Sequence, residues 1–278
     1  MPGFANYDAI INALTVNLKG QYAEWWKASF TIVSGVFSSF WNGTGFPAAG
    51  TFGTALTARA IDRTSQGATS FVNPTSPAQL FATYASGGGG NTTGTILFYD
   101  RLAEYPINGT VLSGTFTSVA LPARDQDGTT AGRGVFLFVE NPNATTMAAV
   151  NLTINYTNSA GTAGRVMPAF TTAAAIQHRL ANPVQPFQTM FSTDEGIRSI
   201  QSYTLGASAL STQINLVLAR PLFSIPIASS GNVVMERDLV LQRPSLPRLY
   251  DGTAIGSLIV LTSTATGAAF GRIEAVEG

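Results

Sequence analysis

The sequence predicts a mainly β protein: an antiparallel β-sandwich or jelly-roll-like domain with an N-terminal helical arm. Three observations lead there. From about residue 51 onward, short runs rich in Thr, Val, Ile, Phe and Tyr are separated by clusters of Gly, Pro, Asn, Asp and Ser, the punctuation of many short strands. Val150-Asn-Leu152-Thr-Ile154-Asn-Tyr156 places an apolar side chain at every second position, so one face packs inward while the other shows Asn and Thr. Clear helical spacing is confined to the beginning of the chain.

That helical signal covers residues 6–19. Tyr7, Ile10, Ile11, Leu14 and Leu18 recur three and four residues apart, with Asn6 or Asp8 at the start and Gly20 at the end. A second short helical stretch is expected over 21–27. Residues 25–41 hold all three Trp of the chain together with Phe30, Phe37 and Phe40. Two readings of this segment stand open: a cap on the core of the following domain, or an anchor set into a neighbouring subunit. The expected division is therefore a helical and aromatic arm at 1–50 and a β-sandwich domain at 51–278, with an extended C-terminal strap at about 232–252.

Strands are expected at 53–60, 94–99, 109–119, 135–140, 149–156, 187–191, 197–205, 213–218, 223–227 and 257–261, with a last one near 271–276. The glycine run at 87–90 reads as a flexible turn or hinge. Residues 124–133 read as a mobile polar loop and 158–164 as a hairpin connection. The Ala-rich stretch 171–180 is expected to form a short helix, stopped by Pro183 and Pro186.

Composition narrows the function. The chain has no Cys, one His and only two Lys, Lys19 and Lys27, so it has few parts for an active site or a thiolate metal centre. Charged residues make up 11%, under half the usual share of about a quarter. Basic and acidic residues balance at 15 each. Soluble monomers generally keep net charge away from zero, and a weakly charged surface suits a protein covered by partners. The basic residues are mostly Arg, spread singly along the chain. Arg suits interfaces, while nucleic-acid binding needs clustered positive charge, so no nucleic-acid partner is expected. The opening residues lack a basic region followed by an apolar one, and no run approaches the roughly 18 to 20 apolar residues of a membrane span. The expectation is a soluble cytoplasmic product with no membrane partner.

Candidate chemical sites are sparse. His178 has no Gly-x-Ser-x-Gly elbow elsewhere in the chain to serve. Asp125-Gln-Asp127-Gly128 echoes the start of a calcium loop, but the twelfth position is Phe136 where a Glu is required. Asp194 and Glu195 form the one adjacent acidic pair considered for glycosidic cleavage. Gly87-Gly-Gly-Gly-Asn-Thr-Thr lacks the Lys of a phosphate loop. No catalytic residue, cofactor or metal is expected. The strap is denser in charge, with Glu236, Arg237, Asp238, Arg243, Arg248 and Asp251, and Pro244 and Pro247 hold it extended. It lies either across its own domain or on a neighbouring subunit. The expected contact residues are Trp25, Trp26, Phe37, Trp41, Arg237, Arg243, Arg248 and Tyr250.

Several stretches together resemble a class of tailed-bacteriophage virion proteins encoded among head and structural genes. They are Phe4-Ala-Asn-Tyr-Asp-Ala-Ile-Ile-Asn-Ala-Leu, Trp25-Trp26-Lys27, Leu218-Ala-Arg-Pro-Leu222, Ile225-Pro226, Glu236-Arg-Asp-Leu239, Pro244-Ser-Leu-Pro-Arg248 and Asp251-Gly252. The resemblance implies a structural role on the capsid surface of a virion, as decoration or cement bound to the major capsid protein. It supplies no catalytic residues. The leading expectation that follows is self-association as a symmetric oligomer, a homotrimer. The rival expectations are a tail-fibre or receptor-binding module using loops 87–93 or 124–133, a tail-tube or ring protein, and a glycan-cleaving enzyme.

Overall fold

The computed structural model describes residues 4–89, 93–175, 177–181, 185–188, 190–228, 233–241 and 245–278. In chain order its elements begin with α1 (Tyr7–Thr15), β1 (Gly20–Ile32), β2 (Ser38–Ser39), β3 (Gly45–Phe46), β4 (Arg59–Ala60) and β5 (Leu80–Gly89). There follow β6 (Gly94–Ile107), β7 (Ser113–Thr115), β8 (Phe136–Glu140), β9 (Asn151–Asn158), β10 (Arg165–Val166) and β11 (Phe170–Thr171). The last are β12 (Ile197–Leu205), β13 (Ile214–Ile227), β14 (Met235–Asp238), β15 (Arg248–Leu249), β16 (Ile255–Leu261) and β17 (Ala265–Glu277).

The strands form three antiparallel sheets. A central sheet runs β2-β16-β6-β13-β8, with β4 also on β6; a second runs β14-β5-β17-β1-β3, with β15 also on β5; a third runs β10-β9-β12-β7, with β11 also on β9. The long partners β6 and β13 organise the molecule. Their register sets Ile96, Phe98, Asp100, Tyr105 and Ile107 beside Ile225, Phe223, Arg220, Leu216 and Ile214. Irregularities between Leu218 and Ala219 and between Pro221 and Phe223 add bulge residues that keep these apolar sets on one face. Near Ile96 and Ile225 that face packs against Trp25, Ala82, Ala85 and Ile273 of the second sheet. Near Tyr105 and Leu216 it packs against Leu152, Ile154, Tyr156 and Tyr203 of the third. The result is a sandwich-like β fold, as expected, in which one long sheet carries two others along one face. Its opposite face holds Leu97, Tyr99, Val217 and Leu258 beneath Phe37, Leu180 and Phe187.

Helix α1 forms as expected. Asn6 caps it by accepting a bond from Ala9 N at 2.9 Å, and Leu18, at φ 50°, lies past its end. Only Ile10 and Ala13 are buried, against Val276 of β17. Tyr7, Ile11 and Leu14 of the expected apolar stripe face solvent.

Several expectations need correction. Residues 21–27 are strand, not helix: β1 pairs with β17 from Gly20 opposite Val276 to Lys27 opposite Ala269. Long-range pairing thus overrides local propensity for a Tyr- and Trp-rich stretch that fits a pleated surface. The expected arm at 1–50 shortens accordingly, because β1, β2 and β3 are members of the sheets. Gly87, Gly88 and Gly89 are not a hinge but the end of β5, paired with β17; Gly90 lies outside the described residues. Glycine is needed here because Gly87 and Gly271 run directly beneath the Trp25 ring, where an added Cβ on Gly271 would collide with Ser86 and Trp25. The expected strands at 53–60 and 109–119 reduce to β4 and β7, and the described residues of 187–191 are irregular. None of the described residues of 171–180 is helical: bridges form at Ala175, Arg179 and Leu180, and residues 177 and 178 make a turn with His178 at φ 70°, while Ile176 and Pro183 lie outside the described residues. The expected strands 213–218 and 223–227 are one, β13, running through Pro221 and Pro226.

Candidate interaction surface

The interior takes up an unusual share of the few charges. Lys27, Asp100, Arg101, Glu104, Arg124, Asp125, Glu140 and Arg220 are all buried. Two clusters form on opposite faces of the central sheet. On the core face, Asp100 sits between Arg124 at 3.5 Å and Arg220 at 3.6 Å. Burial pushes its carboxyl pKa up while the two guanidiniums oppose that. On the other face, Arg101 bonds Glu104 at 2.7 Å and also Glu140, and Arg59 reaches Glu104 at 2.8 Å. Burial works against the Arg101 charge, but Glu140 and Glu104 outweigh it and hold its pKa above the ordinary value. The Arg101 guanidinium also lies 4.5 Å from the centre of the Trp41 ring. Sequence reading missed these clusters. The signal was there in Asp100-Arg101 and Glu104, charges embedded in an otherwise apolar run.

The outer face of the second sheet shows the reverse chemistry. Its register lines up Phe46, Trp26, Phe270 and Gly88 across β3, β1, β17 and β5. Phe46 is 64% and Trp26 48% exposed. Val234, also exposed, joins them around a groove of about 570 Å³. The next row aligns Glu24, Arg272, Ser86 and Glu236, and the one after it Tyr22, Glu274, Tyr84 and Asp238. Arg272 pairs with Glu274 at 2.5 Å and lies 5.9 Å from the centre of the Tyr84 ring. An apolar aromatic row thus borders an acidic one, in which Glu24, Glu236, Glu274 and Asp238 outnumber Arg272, an apolar patch with a polar rim.

The expected contact residues divide. Trp26 lies on this surface. Trp25, 3% exposed, and Trp41, 1% exposed, are corrected to core residues: Trp25 packs on Phe40 and Phe98, and Trp41 covers Arg101. Phe37 is half-buried against the cluster around Tyr99 and Leu258. The strap lies on its own domain: β14 and β15 pair with β5, and Arg237 points inward to donate to Ser224 Oγ at 3.2 Å. Arg248 stacks over Tyr250 at 4.3 Å, with Arg220 at 4.9 Å from the same ring, and Tyr250 donates to the Gln126 carbonyl at 3.1 Å. Arg243 lies outside the described residues. Phe46, Phe270 and Tyr22 were missed, although Tyr22, Glu24 and Trp26 already alternate as one face of a strand.

The chemical candidates are occupied by structural bonds. His178 Nδ1 is 2.6 Å from Asn42 Oδ1, and burial lowers its pKa. The Asp125 carboxylate accepts from Thr129 N at 2.7 Å, Gly132 N at 2.9 Å and Asp127 N at 3.0 Å. It therefore organises the 124–133 loop from within instead of facing a cation. Asp194 accepts from Arg165 and Asn158 at 2.8 Å and from Tyr156, whereas Glu195 pairs with Arg133 at 3.1 Å. The two neighbouring acids thus serve different partners. Among the described residues no three His, Asp or Glu side chains gather where a metal could be held, and no helix is long and apolar enough to cross a membrane.

No protein-family model matches the chain, and no curated protein does. Among solved structures it is similar to infectious bursal disease virus, Gx strain, at 9% identity and a TM-score of 0.17, covering 94% of this chain and 82% of that one. It is similar to the VP2 subviral particle of infectious bursal disease virus at 10% identity and a TM-score of 0.16, covering 96% and 85%. The human polyomavirus 6 VP1 pentamer follows at 12% identity and 0.14, covering 93% and 94%. These neighbours are viral capsid proteins. TM-scores at this level give no superposition from which a residue's role can be carried over.

Proposed function

We propose that this chain is a non-enzymatic virion structural protein that self-associates, as a trimer, and binds the major capsid lattice as a decoration or cement protein. One observation carries the reading. The chain withdraws charge into interior pairs around Asp100 and Arg101 while it leaves Phe46, Trp26 and Val234 exposed in one place. A protein acting alone in water gains nothing from that distribution, whereas one covered by neighbours does. Repeated attachment over a lattice raises avidity, so each contact can be modest. Trp26, with Phe46 and Tyr22 beside it, is the proposed centre of the contact surface, and the Arg248–Tyr250 stack a second contact. The test mixes purified protein with capsids assembled without it and follows co-sedimentation. Saturable, stoichiometric binding supports the proposal; binding to host cells and not to capsids overturns it.

A further inference from the structure

The outer face of the second sheet has an excess of acid. Its register sets Glu24, Arg272 and Glu236 in one row and Glu274 and Asp238 in the next, so four carboxylates share one guanidinium. Glu24 lies directly opposite Arg272, but Arg272 turns to Glu274 at 2.5 Å. Among the described residues no cation pairs with Glu24, which is exposed and lines the groove beside Trp26 and Phe46. Two such faces set against each other repel. The face is therefore not its own partner.

The missing positive charge is on the rest of the chain. Basic and acidic residues balance at 15 each, so taking away these four acids and one base leaves 14 basic against 11 acidic residues elsewhere. Among the described residues four basic side chains are exposed: Lys19, Arg133, Arg198 and Arg272. Lys19 pairs with Glu277, Arg133 with Asp127 and Glu195, and Arg272 with Glu274. Of the four, Arg198 is the one without a carboxylate. It belongs to β12 of the third sheet, whose five strands contain no Asp or Glu. Beside it the sheet turns out Thr153 opposite Thr204 and Asn155 opposite Ser202, and Val166 next to Asn155 is 51% exposed.

Resting on the self-association proposed above, we infer that the acidic face around Glu24 docks on the third sheet of a second copy, with Arg198 as the counter-charge. The second and third sheets pack near opposite ends of β6 and β13, so a second copy is needed to bring the two charges together. The Arg198 guanidinium enters a groove walled by Trp26 and Phe46, where aromatic faces and the Glu24 carboxylate both attract it. The hydroxyls and amides around it donate to the neighbouring carboxylates and oppose them with no acid of their own. In a trimer each acidic face meets the third sheet of the next copy, and the ring closes.

The test is sedimentation velocity on the full-length protein over a concentration series. Glu24→Arg and Arg198→Glu are each expected to weaken assembly at least about tenfold, because each sets like charges against one another. Carried on one chain, the two substitutions exchange the charges, and most of the loss should return. Both side chains are exposed and unpaired, so each variant should melt close to the wild-type temperature. An Arg198→Glu variant that assembles like the wild type overturns the docking while leaving self-association standing. So does a double variant that assembles no more tightly than either single one. A chain that stays monomeric at every concentration overturns both.

Discussion

Replacing Arg101 by Met tests whether the buried carboxylates of this fold depend on their buried cation. Arg101 is 0% exposed and serves two carboxylates, Glu104 and Glu140. When it is removed, Glu104 keeps Arg59 at 2.8 Å, but Glu140 keeps only Asn215 Nδ2 at 3.2 Å. One buried carboxylate is left without a cation, which costs about 3–5 kcal/mol. The cation–π contact with Trp41 is lost as well. Urea titration at neutral pH reads this as a lowered midpoint with an unchanged slope. Adding Glu140→Gln to Arg101→Met removes the stranded charge, so the double variant should recover most of the loss, retaining a deficit of about 1–2 kcal/mol for imperfect amide bonding. A single variant costing less than about 1 kcal/mol, or a double variant no more stable than the single, refutes the reasoning.

Three further outcomes are expected. Burial without a carboxylate partner lowers the Lys27 pKa from 10.5 to about 8. The unfolded chain therefore holds more protons than the native one between those values, and wild-type stability should rise through that range relative to Lys27→Met; parallel pH profiles would sink this. Bonds from Arg165, Tyr156 and Asn158 hold the Asp194 carboxyl at about 2. Its contribution is present above the unfolded pKa of about 4 and lost as pH falls towards 2, so the stability gap to Asp194→Asn should close over that interval in acid titrations followed by fluorescence. Trp26→Ala, at a half-exposed position, should leave the melting temperature nearly unchanged. It should weaken self-association measured by sedimentation by about 2 kcal/mol, roughly thirtyfold; unaltered assembly would remove Trp26 from the contact surface.

Where side-chain pattern and backbone pairing agree, the elements were legible before the fold was known. The strand expected at 197–205 is β12, residue for residue, and β9 keeps its apolar positions Leu152, Ile154 and Tyr156 inside. The hairpin expected at 158–164 forms between β9 and β10, with Gly161 and Gly164 at positive φ. Elements that depend on distant partners were not legible. The glycines of β5 look like a break until Trp25 and Gly271 are seen to demand their small size. The strand expected at 94–99 stops short of Asp100, Arg101 and Glu104, and β6 runs on through them to Ile107 because Glu140 and Arg124 arrive from elsewhere in the chain to pair with them. Trp25 and Trp26 are adjacent in sequence, and only the pairing of β1 with β17 sends one inward and the other to the surface.

By itself, then, the sequence determined the class of the protein: mainly β, antiparallel, low in charge and short of the groups that chemistry needs. Composition and period-two patterning are local properties, and they carry that much. Which charges are hidden and which aromatic rows face outward were decided by the tertiary structure. A residue's side is set by the strand opposite it, and that strand lies up to 256 positions away, as Val276 does from Gly20.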